Sequence, residues 1–208
     1  MDFKDKITYY TSTTDGYTDA EAQQYIVDGC YDVYRKFKLI EGLDTTQKFG
    51  VFSSASTDGN AIDIGEVHEI IYVQRNGIPA SKVTPNLVHK YTDVDSIHYA
   101  SVNDPIFYIH EEFLYIKPAT AASQGAGYYI YLPAYAVTSY DDTSSIDKFP
   151  AEYYDHVLIY AAIKILEAKM HNYIEDDEDS ELAQLIGQRI DRLKVQYNEM
   201  FGGQQQWN

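Results

Sequence analysis

The sequence predicts an α+β protein: a helical bundle made from both ends of the chain, with an antiparallel β-sheet or sandwich inserted between them. Three observations carry this. Apolar residues recur at three- and four-residue spacing once near the start of the chain and twice near its end. Aromatic and β-branched residues alternate between Pro105 and Val137. The middle of the chain offers the helical stripes no helical neighbour, so they must bury one another. Residues 1–42 and 146–208 are thereby read as one helical core, and 43–145 as a β-rich insertion.

Taken in order, residues 1–17 read as a polar, turn-rich arm. Thr18 and Glu21 form a capping box, each able to satisfy a backbone donor at the other's position. It opens a helix over roughly 18–40, with Ala22, Tyr25, Ile26, Gly29, Val33, Phe37 and Ile40 on one stripe and Gly42 as its stop. From Gly42 to Gly65 the chain is small and polar. Residues 67–75, "VHEIIYVQR", read as a strand, and Asn76-Gly77 as a tight turn. Residues 83–101 fit a short helix or a turn equally well.

"IFYI", "HEE" and "FLYIK" then predict a hairpin around a three-residue loop, with Ile106, Tyr108, Leu114 and Ile116 on one face. "YYIYLPAYAV" reads as a further strand. Pro150 starts a helix whose stripe is Tyr154, Val157, Leu158, Ala161, Ile165 and Ala168. A last helix follows, with Leu182, Leu185, Ile186, Ile190, Leu193, Tyr197 and Met200 apolar. Gly202-Gly203 closes it.

Charge limits the partners. Thirty-two acids against sixteen bases leave −16, a surface that repels phosphate and disfavours non-specific nucleic-acid binding. The same charge suits the wall of a passage through which DNA slides. The single cysteine, Cys30, forms no internal bridge, which suits a reducing compartment. The opening residues lack a secretory pattern, and no stretch of about 18 apolar residues predicts a membrane span.

Chemical motifs are scarce. "HEEFL" from His110 has Leu114 where a zinc-protease motif needs a second histidine, and it falls in a hairpin. "DGNAIDIGE" from Asp58 has Ile62 where a calcium loop needs an oxygen ligand. No nucleophile elbow or phosphate-cradling loop occurs, so no enzymatic activity, metal or cofactor is expected. "YRKFK", residues 34–38, reads as a solvated helix end.

The segments "AEAQQYIVDGCYDVYRKF", "DPIFYIHEEFLYIKPA", "GYYIYLPAYAV" and "FPAEYYDHVLIYAAIKILEAKM" together resemble the head-to-tail adaptor proteins of tailed bacteriophages, also called connector, neck or head-completion proteins. The resemblance covers about three-quarters of the chain in element order, through structural motifs rather than catalytic ones. It implies a homo-oligomeric ring, commonly dodecameric, at the portal vertex of the virion, made in the host cytoplasm. Its partners would be the portal protein, a tail or second neck protein and neighbouring copies, with the genome passing unbound. Family members often dock on the portal through an extended C-terminal tail. That gives Gln204, Gln205, Gln206, Trp207 and Asn208 the role of a docking segment. Asp141, Asp142, Glu175, Asp176, Asp177, Glu178 and Asp179 are the acids expected to face the DNA passage. A tail-completion or tail-tube-associated ring protein is the nearest alternative. A soluble carbohydrate- or peptide-binding β module, using the tyrosines of the sheet, is the alternative of another class.

Overall fold

The computed structural model describes residues 2–41, 47–53, 62–65, 69–118, 127–141, 144–175 and 180–202. The chain forms two compact units, Met1–Thr46 with Tyr135–Asn208, and Gln47–Ala134. The helices are α1 (Phe3–Thr11), α2 (Asp19–Glu41), α3 (Val88–Thr92), α4 (Tyr154–Glu175) and α5 (Ser180–Glu199). The first strands are β1 (Val51–Phe52), β2 (Ile62–Asp63), β3 (Glu69–Arg75), β4 (Ile78–Pro79) and β5 (Ser81–Lys82). They are followed by β6 (Ile106–His110), β7 (Phe113–Lys117), β8 (Gly127–Leu132), β9 (Val137–Ser139) and β10 (Ser145–Ile146). The fold is α+β.

In the helical unit α4 is central, packed against α1, α2 and α5. That explains its composition. Val157, Leu158, Ile159, Ala161, Ala162, Ile165 and Leu166 are all buried, so apolar side chains cover most of its circumference rather than one stripe. The α2 helix begins as its sequence predicts: the Thr18 amide donates to Glu21 Oε2 at 2.7 Å, and the Glu21 amide to Thr18 Oγ1 at 3.2 Å. Ala22, Ile26, Cys30, Val33 and Phe37 form its buried face. Gly29 lets the helices approach closely, since a Cβ there would lie 3.1 Å from both the Tyr160 ring and the Val157 carbonyl oxygen.

The expected N-terminal arm is instead a helix. Asp2 caps α1 by accepting from the Asp5 amide at 2.6 Å, and Phe3, Ile7 and Thr11 recur four residues apart as its buried face. Ser12, at φ 53°, ends it in the left-handed region. Two buried apolar residues in nine are a weak periodic signal, and tertiary packing supplies what propensity does not.

The second boundary also differs from the sequence reading. Pro133 follows the last residue of β8, and a proline has no N–H to extend a ladder. After it, β9 pairs with β10 rather than with the sheets, so residues 135–145 belong to the helical unit. Tyr154 holds this segment: its hydroxyl accepts from the Ile146 amide at 3.0 Å.

The β unit is a sandwich of two four-stranded sheets, ordered β1-β8-β3-β4 and β2-β7-β6-β5. Val73 and Tyr129 from the first meet Leu114 and Ile116 from the second in a common core. Asn76 and Gly77, at φ 49° and 77°, make the primed turn between β3 and β4. The sheets are not wholly antiparallel, because β5 pairs parallel to β6. A parallel pair needs a crossover connection, and residues 83–105, with α3, provide it.

The β6–β7 hairpin corrects the predicted face. His110 pairs with Phe113, so the turn has two residues, with Glu111 at φ 55°. Tyr108 then lies opposite Tyr115, and Ile109 opposite Leu114. A one-residue change in loop length moves one strand's side chains to the other face. Ile106 and Tyr108 therefore share a face with Tyr115, while Leu114 and Ile116 share the opposite one with Phe107 and Ile109.

Candidate functional site

The end of α5 is held by an aromatic clasp. The Tyr197 hydroxyl donates to Asp32 Oδ2 at 2.6 Å. Lys36 Nζ lies 3.8 Å from the same oxygen and 4.0 Å above the Tyr197 ring centroid. Phe201 closes the group, with its ring centroid 5.1 Å from Phe37, 5.1 Å from Tyr197 and 5.0 Å from His156. The contacts of Tyr197 and Phe201 with Asp32, Lys36, Phe37 and His156 join the end of α5 and the turn after it to α2 and the start of α4, so the position of Phe201 is fixed.

Burial dominates the electrostatics here. It raises the Tyr197 hydroxyl far above its ordinary pKa, and Asp32 adds to the effect. It lowers Lys36 despite Asp32 beside it, because the ammonium has traded water for ring faces. It also lowers His156, which packs among Phe37, Tyr153 and Phe201. His156 Nδ1 is buried and has no hydrogen-bond partner among the described residues. "YRKFK" is thus more than a solvated end: Tyr34 and Phe37 are core residues and Lys36 is a clasp residue, while Arg35 is exposed.

A groove lies on the same unit between α1 and α5, bordered by Tyr9, Ser12, Leu185, Gln188, Arg189 and Arg192 and extended by Lys169 of α4. Arg189 builds its floor. Its Nε donates to the Tyr10 carbonyl at 2.6 Å and its Nη2 to the Tyr9 carbonyl at 3.0 Å, capping the negative end of α1. Lys169 Nζ donates to Thr13 Oγ1 at 2.7 Å. Leu185, expected in the core stripe, is 61% exposed on the groove edge, and Tyr9 is 71% exposed.

The β unit carries two further surfaces. Tyr108 and Tyr115 stack with centroids 4.8 Å apart and planes 6° apart. Residues 85–100 form a hydrogen-bonded excursion, closed by the Ala100 amide on the Tyr91 carbonyl at 2.9 Å. It holds Val94 at 72% and Ile97 at 96% exposure. Among the described residues no three His, Cys, Asp or Glu side chains are placed to hold a metal ion, and no helix is long and apolar enough to cross a membrane.

Of the residues read as functional from sequence, Gln204–Asn208, Asp142 and Asp176–Asp179 lie outside the described residues. Glu175 is described only in its backbone, as the last residue of α4. Asp141 is exposed and lies 3.2 Å from Lys4 Nζ, which also reaches Asp19 at 3.5 Å. Sequence reasoning missed Arg189, whose role depends on a helix it did not predict, and Ile97. It saw Lys36 only as surface charge. No protein-family model and no curated protein matches this chain.

Proposed function

We propose that the protein is a structural virion adaptor, a ring-forming component joining portal to tail and allowing the genome through, with no enzymatic role. The observation that carries this reading is the closure of α1, α2 and α5 around α4, with a separately cored β unit inserted in the chain between α2 and α4. This is the element order of the family that the sequence resembles. One unit can then serve assembly while the other meets a different component. The clasp favours the reading too. A tail that docks on a partner needs a fixed point of departure, or its ordering entropy on binding grows, and Phe201 provides one. A net charge of −16 keeps a DNA passage from becoming a binding site.

The test is electron microscopy of the parent particle with the protein labelled, paired with capture on purified portal and purified tail. Density for a ring at the portal–tail junction and capture by portal are expected. Deleting residues 204–208 should abolish portal capture while leaving the circular dichroism spectrum unchanged. Absence from purified virions removes the adaptor reading, and capture by tail alone moves the protein to tail completion. The stacked Tyr108–Tyr115 pair favours one other reading, a glycan-binding module. Saturable glycan binding abolished by Tyr108→Ala would establish it.

A further inference from the structure

We infer that the groove between α1 and α5 is a self-association site, and that its occupant is the acidic α4–α5 connection of a second copy of this chain. The inference deepens the ring reading and rests on it for the presence of neighbouring copies. In a chain of 32 acidic and 16 basic residues, this groove is bordered by Lys169, Arg189 and Arg192 and by no carboxylate among the described residues. Lys169 and Arg189 are committed to Thr13 and to the end of α1. Arg192 is exposed and has no ion pair among the described residues. Beside it, Tyr9 and Leu185 offer apolar surface that their own unit leaves uncovered.

The complement is written elsewhere in the same chain. The last turn of α4 exposes Ile174 at 58%, and the acids Glu175-Asp176-Asp177-Glu178-Asp179 follow at once. An apolar anchor next to five carboxylates matches an apolar groove edge next to a free guanidinium. Arg192 of the same copy is remote along α5 from the residue where the run joins that helix. Residues 176–179 are tethered at both ends by helices, and Arg192 lies twelve residues along α5 from Ser180, about 18 Å at 1.5 Å per residue. A second copy has no such tether. Because the groove and the acidic connection are different surfaces, each copy can give one and receive the other. That head-to-tail contact closes into a ring when the rotation between copies allows.

The test uses the full-length protein and a fluorescein-labelled peptide of residues 172–181, followed by anisotropy. Saturable binding is expected, weakening as salt rises, with at least about tenfold loss in Arg192→Glu and in Leu185→Ser. A peptide with its acids replaced by Asn and Gln should not bind. Both substitutions are at exposed positions, and circular dichroism confirms that the variants fold. No saturation by about 1 mM, equal binding by the neutral peptide, or unchanged affinity in Arg192→Glu overturns the inference. A ring on the virion without peptide binding would sink the groove contact alone. Peptide binding by a protein absent from the virion would sink the adaptor alone.

Discussion

His156 shows how one buried ring couples the clasp to pH. Burial holds its pKa below the ordinary 6.5, so the folded protein keeps it neutral where the unfolded chain would take up a proton. The stability it contributes is present above pH 6.5 and is lost as pH falls through that value toward the lower folded pKa. Cleavage of the C-terminal segment by a protease should therefore quicken between pH 7 and pH 5.5, and His156→Phe should flatten that dependence. A flat wild-type profile would show that Phe201 holds without the histidine's neutrality. Gly29 is a steric counterpart. A Cβ already meets Tyr160 and Val157 at 3.1 Å, so Gly29→Val should cost about 2 kcal/mol by overpacking, read as a lower denaturation midpoint. An unchanged midpoint would mean that α2 and α4 can shift apart freely. Cys30, fully buried on α2 with its thiol pKa pushed up by burial, should resist thiol reagents until the protein unfolds.

At the scale of elements, legibility followed how much information each element keeps within itself. The α2 start was readable because a capping box is local, and α4 because its apolar content exceeds what one stripe requires. The α1 helix was not, since nine residues with two apolar anchors gain little from propensity, and its end is satisfied by Arg189 from almost the far end of the chain. The β6–β7 pairing was readable, yet its faces were not. Whether His110 belongs to the loop or the ladder decides them, and the sequence permits both. In the groove, Leu185 has the periodicity of a core residue and only the packing reveals it as surface. Arg189 supports a definite expectation. It makes two charge-assisted hydrogen bonds to α1 carbonyls, so Arg189→Ala should lower stability by about 2 kcal/mol. Hydrogen exchange should show the loss concentrated in residues 3–12. Unchanged protection there would mean that Phe3 and Ile7 hold α1 unaided.

On the scale of the whole molecule, the division into two units makes an experiment out of the chain's order. The helical unit has its own core around Leu158, Ile159 and Ile165, and the β unit has its own around Val73, Leu114 and Tyr129. If each core is sufficient, residues 47–134 can be replaced by a flexible Gly/Ser linker of about a dozen residues. The cost then lies mainly in loop closure, which changes by only about 0.6 kcal/mol for each doubling of loop length. The shortened protein should keep its helical circular dichroism, unfold in one cooperative transition, and retain protection of the α2 and α4 amides. It should also still bind the acidic peptide, because the groove residues all belong to the helical unit. Non-cooperative melting would instead show that the two ends of the chain close around α4 only when the β unit is folded between them, and that the bundle's core is incomplete by itself.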